Sequence, residues 1–202
     1  MAGRLSEVVF GLLRRLRVVE LVRHHNPRYV LALFSLINGS LSIGLLAVLA
    51  HETRSPFLFP SLGPTAFLLY YQPTAAASSP RNTVIGHFIG AAMGWVSLAL
   101  FGLLTEPPAL TEGVSWARAG AAALSLGGTS GLMVLLRAAH PPAGATTLIV
   151  SLGLMPHLWQ IPVLMAAVLL LIGQAFLINR LAGIPYPLWT LPPRSDVSLP
   201  EE

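Results

Sequence analysis

Four long apolar runs, at 30–50, 81–104, 117–138 and 158–178, constrain this chain more than any other feature. A helix needs about 20 predominantly apolar residues to cross a bilayer, and each run meets that length. The acids are Glu7, Glu20, Glu52, Glu106, Glu112, Asp196, Glu201 and Glu202, and none lies inside a run. Charged residues make up only 10% of the chain, against about a quarter in soluble domains. The expected fold class is all-α integral membrane.

Two further apolar pieces, 57–71 and 141–154, are too short for an untilted span. Both are interrupted: Pro60 and Gly63 break the first, and Pro141, Pro142 and Gly144 break the second. Broken segments at membrane depth are tolerated where protein buries them. The expectation is four full transmembrane helices plus two short helices, either half-length or re-entrant. Aligning 59–69 with 140–150 pairs Pro60 with Pro141, Gly63 with Gly144 and Thr65 with Thr146. A two-fold internal repeat follows, with halves 30–104 and 117–180. Gly63 and Gly144 are expected to permit close approach or unusual dihedrals.

Residues 1–29 read as a basic arm whose Leu5, Val8, Val9, Leu12, Leu16 and Val19 share one helical face, suited to lying on acidic headgroups. Its arginines place the N-terminus in the cytoplasm. If both short pieces cross, Arg81, Arg137 and Arg180 fall on that side, and Glu106 and Glu112 opposite. Residues 181–202 read as a Pro-rich, peripheral tail.

The site candidates cluster at the two breaks. Prolines disfavour helix in the residue before them and suit a helix start. The helix beginning after His140 would therefore offer N–H groups with partial positive charge, beside Arg137 and His140. Arg81 and His87 lie at the head of the second full run. Ser61, Thr65, Thr146 and Thr147 supply hydroxyls, which also repair broken backbone. These groups suit a small monovalent anion. Without an embedded carboxylate, neither triad chemistry nor a zinc site is expected, so no enzyme, metal or cofactor is anticipated, and nucleic acid is not an expected partner. The competing readings are an assembly or sensor subunit without its own flux and, behind it, an intramembrane enzyme. The partners expected are the anion, the lipid bilayer and further copies of the chain.

The stretch Leu136-Arg137-Ala138-Ala139-His140-Pro141-Pro142-Ala143-Gly144-Ala145-Thr146-Thr147 resembles the signature of the HPP family of integral membrane proteins. Residues 79–87, Ser-Pro-Arg-Asn-Thr-Val-Ile-Gly-His, and 61–66, Ser-Leu-Gly-Pro-Thr-Ala, resemble two further blocks of it. The likeness spans roughly 30–180. It implies four membrane spans. Plastid and cyanobacterial relatives are associated with nitrite transport, which makes nitrite the first candidate. The expected location is a bacterial inner (plasma) membrane. Pro64 stands where relatives more often carry a small residue.

Overall fold

The computed structural model describes residues 17–155 and 157–190. Among them every regular element is helical: α1 (Val18–His24), α2 (Pro27–Thr53), α3 (Leu62–Tyr71), a 3-10 turn (Ala76–Ser78), α4 (Pro80–Leu100), α5 (Ala109–Glu112), α6 (Trp116–Leu135), α7 (Ala143–Ser151) and α8 (Gln160–Leu181). The chain is an integral membrane protein. Among the described residues three helices, α2, α4 and α8, are long and apolar enough to cross a bilayer. The fourth long helix, α6, has 20 residues, but Arg118 and its many glycines dilute its hydropathy.

Prolines set several boundaries. Pro27 and Pro80 occupy the first turns of α2 and α4, where a missing N–H costs nothing, and Asn26 and Ser79 cap those ends. Pro64 sits in the first turn of α3 and is accommodated for the same reason. The basic arm therefore ends by Pro27 rather than at residue 29, and most of its apolar face lies outside the described residues.

Hydrogen bonds between helix ends fix how the elements run. Arg81, in the first turn of α4, donates to the carbonyls of Leu136 and Arg137 just past α6, at 2.9 and 2.8 Å. Arg118, in the first turn of α6, donates to Ser151 at the end of α7 and to Pro107, at 3.4 and 2.7 Å. The Ala109 N–H reaches the Leu152 carbonyl at 2.9 Å. So α7 starts at the level where α6 ends and finishes beside the start of α6. The first turns of α2 and the last turn of α3 line one pocket, through Arg28, Leu31, Phe67 and Tyr71, and the Phe34 ring meets Tyr70 edge-on, so those two helices are also antiparallel.

Helix α4 is the hub. Its Gly86, Gly90 and Gly94 recur every four residues and face α7. A Cβ on Gly90 would sit 2.7 Å from the Ala143 carbonyl oxygen, and one on Gly86 would sit 2.8 Å from the His140 Cβ. This stripe lets α7 pack against backbone. Gly63 and Gly144, expected to serve that purpose, do not. A Cβ on Gly63 would meet nothing within 4 Å, one on Gly144 only Leu126 at ordinary contact, and neither has positive φ.

The tail is not peripheral at Tyr186, although Leu188 and Trp189 are exposed. Tyr186 is fully buried and donates to the Ser78 carbonyl at 2.8 Å, while the Arg81 N–H bonds the Trp189 carbonyl at 3.0 Å. Its aromatic ring belongs to the same apolar core as Leu62, Tyr70 and Leu171, which a count of prolines does not reveal.

A buried histidine and threonine cluster

Two imidazoles from distant parts of the chain meet inside the bundle. His87 sits two turns into α4, about 10 Å from its start at the usual rise per residue. His140 lies in the turn between α6 and α7. Both are fully buried, with ring centroids 5.0 Å apart. Thr65 of α3 stands between them, its Oγ1 2.9 Å from His87 Nε2 and 3.2 Å from His140 Nε2. Thr146 of α7 lies on the other side of His87, 2.7 Å from Nδ1. His140 Nδ1 donates to the carbonyl of Ala77 in the 3-10 turn, at 2.7 Å, with Thr83 Oγ1 farther off at 3.5 Å. Thr65 Oγ1 also lies 3.0 Å from the Ser61 carbonyl, the local bond that threonine makes within helices.

Each partner is delivered by a break. Ser61 precedes α3, and its hydroxyl is buried without a hydrogen-bond partner among the described residues. The Pro141-Pro142 turn drops His140 into the interior before α7 begins. The turn at Ala76–Ser78 is braced by the Tyr186 hydroxyl on Ser78, and Ser78 itself donates to Gln72 at 2.6 Å. Burial, and then the nearby Tyr70, push the Tyr186 pKa up, so it remains a donor.

Of the residues expected at the site, His87, His140, Thr65 and Thr146 come together, with Ser61, just before α3, offering its carbonyl to Thr65. Thr147 turns instead to Thr129 of α6, at 3.1 Å. The two arginines do not join them. Arg81 is occupied with the carbonyls beyond α6. The Arg137 side chain is exposed and forms no hydrogen bond to a described residue. The N–H groups expected to be free at the start of α7 are not free. Ala143, Gly144 and Ala145 bond the carbonyls of His140, Pro141 and Pro142, each at 3.0 Å, because the double proline folds the entry to the helix into a tight turn.

Arg137 has its own peculiarity. Helices α4, α6, α7 and α8 all end with a bond that spans five residues: Leu103 to Leu98, Ala138 to Met133, Leu154 to Ile149 and Ile184 to Asn179. This end requires a left-handed residue, normally glycine. Gly102, Gly153 and Gly183 supply it, with φ of 68°, 79° and 85°, but after α6 the position is Arg137, at φ 49°. An L-residue there costs roughly 1–2 kcal/mol.

Sequence reading missed three contributors. Arg118 is 3% exposed and carries a charge that no described carboxylate pairs, its guanidinium held by carbonyls. The Ala77 carbonyl lies in what reads as a plain small-residue loop. The glycine stripe of α4 recurs every four residues, at Gly86, Gly90 and Gly94, a signal in the sequence that could have located it. Among the described residues no group of three or more His, Asp or Glu could hold a metal ion.

Residues 24–187 match the family described as HPP, transmembrane region. A transmembrane protein of Dictyostelium discoideum is 27% identical over 146 residues, which cover 69% of this chain and 47% of that protein. The chain thus spans about half the length of that relative. No solved structure matches the chain. With the match covering nearly all of the helical bundle, this chain belongs to the HPP transmembrane family.

Proposed function

We propose that the chain is a transporter or channel for a small monovalent anion, nitrite first, passing at the histidine and threonine cluster. The observation that carries this reading is the convergence of two imidazole Nε2 atoms on one hydroxyl, with no described carboxylate bonded to any of them. Once an imidazole is protonated, its Nε2–H points at the spot where the Thr65 oxygen now accepts. The positive charge then held on the ring draws a small anion to the cluster. Thr65 and Thr146, matched positions of the two halves, bracket the same ring, which supports a two-fold repeat. The opposed directions of α6 and α7, and of α2 and α3, support four full spans and two short helices that also cross. This leaves the N-terminus, Arg81 and Arg137 at the cytoplasmic face of a plasma membrane, and Glu106 and Glu112 opposite.

Arg137 fits as the charge that gathers anions at the mouth. An exposed arginine held where glycine is favoured implies selection for the side chain. Uptake in proteoliposomes, compared across nitrite, nitrate, formate and chloride, tests the proposal. Nitrite uptake by the full chain, suppressed in folded His87→Gln and His140→Gln variants, is expected. Undiminished uptake in both variants would rule out this site.

A further inference from the structure

We infer that the cluster is a binding site for one proton, taken on His140 Nε2, with the Thr65 hydroxyl as the two-position switch that receives it. The inference rests on the anion-transport reading and names the coupling ion for it.

It follows from counting donors. The Ala77 carbonyl can only accept, so the hydrogen of a neutral His140 ring sits on Nδ1, 2.7 Å away, and its Nε2 is bare. Thr65 has one hydroxyl hydrogen and three neighbours: the Ser61 carbonyl at 3.0 Å, His87 Nε2 at 2.9 Å and His140 Nε2 at 3.2 Å. With both rings neutral, one arrangement serves every ring nitrogen. Thr146 donates to His87 Nδ1, His87 Nε2–H donates to Thr65, Thr65 donates to His140 Nε2, and His140 Nδ1–H donates to Ala77. The opposite tautomer of His87 would leave one bare Nε2 unserved.

Now one proton arrives and an N–H bond forms at His140 Nε2. That N–H donates to the Thr65 oxygen, and the Thr65 hydrogen turns to the Ser61 carbonyl. Every group is again served and no heavy atom has to move: the hydrogen bond from Thr65 to His140 Nε2 is replaced by its reverse, and Thr65 gains the Ser61 carbonyl as acceptor. The cluster therefore has two complete hydrogen-bond patterns that differ by one proton.

The surroundings set the stoichiometry. From α3 the neighbours are Thr65 and, toward its far end, Tyr70, which is bonded to Ser42. From α4 they are His87, Thr83, Asn82 and Arg81, the last held on the carbonyls of Leu136 and Arg137. From α7 comes Thr146, and from the 76–78 turn the carbonyls, with Tyr186 beside them. The described carboxylates, Glu20, Glu52, Glu106 and Glu112, make no bond to the cluster. A buried imidazolium without a counter-ion is costly, so the proton stays only when an anion comes with it. A second proton would put two like charges on rings 5.0 Å apart. One proton per monovalent anion makes the movement electroneutral.

Two measurements on the purified full chain test this. In proteoliposomes, nitrite uptake should carry one proton per anion and follow a pH gradient, not an imposed potential. Thr65→Ser should keep the coupling, and Thr65→Val should lower coupled uptake about tenfold, the scale of one hydrogen bond to a charged group. Uptake that follows the potential without proton movement would overturn the inference. Nitrogen NMR of labelled histidine reads the proton site without any flux. It should show Nδ1–H on His140 and Nε2–H on His87 near neutral pH, and on acidification a single ring protonated first, His140. First protonation at His87 would overturn it. A chain that takes up no nitrite but titrates in this order would defeat the anion reading and leave the proton site standing.

Discussion

His87 and His140 turn the same nitrogen, Nε2, toward one hydroxyl, that of Thr65, with their fully buried rings 5.0 Å apart. Neither ring bonds the other. They are joined only through that oxygen, and the chemistry proposed here depends on the join.

Breaking it from the His140 side orphans a buried carbonyl as well. His140→Ala removes the donor to Ala77 and the partner of Thr65, and should destabilise the protein by about 1–3 kcal/mol. His140→Gln, which can still donate, should recover part of that loss while remaining inactive in uptake. Thermal unfolding in detergent, read beside transport, separates the two effects.

The glycines of α4 and α6 should respond differently to one methyl group. Gly90→Ala drives a Cβ to 2.7 Å from the Ala143 carbonyl oxygen, where backbone must shift, and overpacking of this kind costs about 1–3 kcal/mol. Gly127→Ala meets nothing within 4 Å and should leave thermal stability unchanged or raised. A melt of the two variants side by side checks this, and equal stability of both would contradict the packing described for α4 and α7.

Arg137→Gly should relieve the left-handed strain at φ 49°, raising stability by about 1 kcal/mol. If the guanidinium gathers anions at the mouth, the same variant loses uptake at low anion concentration and regains it at high concentration. A fall in stability instead would mean that the arginine makes a structural contact.

Arg118→Ala removes a buried cation from the carbonyls of Pro107 and Ser151. Bonds of a charged donor are worth about 1.5–3 kcal/mol, so the end of α7 should loosen. Hydrogen exchange should rise at 149–154 before it rises at the cluster. Exchange that rises first around 76–78 would show that this end of α7 is not held by Arg118.

The membrane class and the long helices were legible because hydropathy and proline punctuation are local. Pro27, Pro80 and the pair Pro141-Pro142 mark where helices begin. Alignment of the two breaks paired Thr65 with Thr146, and both do meet at His87. Other features depend on three-dimensional closure. Arg81 read as a site charge, yet the end of α6 arrives beside it and takes its hydrogens. The N–H groups at the start of α7 read as free because sequence does not show a turn folding back on them. Tyr186 read as part of a tail, and only the fold reveals the gap that its ring fills beside Tyr70 and the carbonyl of Ser78.

Simultaneous recording of nitrite and proton movement in proteoliposomes bearing wild-type, His87→Gln or His140→Gln protein tests the central claim most directly. The wild-type chain should move the two together under a pH gradient, and both variants, folded by their melting curves, should move neither. Nitrite uptake that persists in both variants would contradict the account.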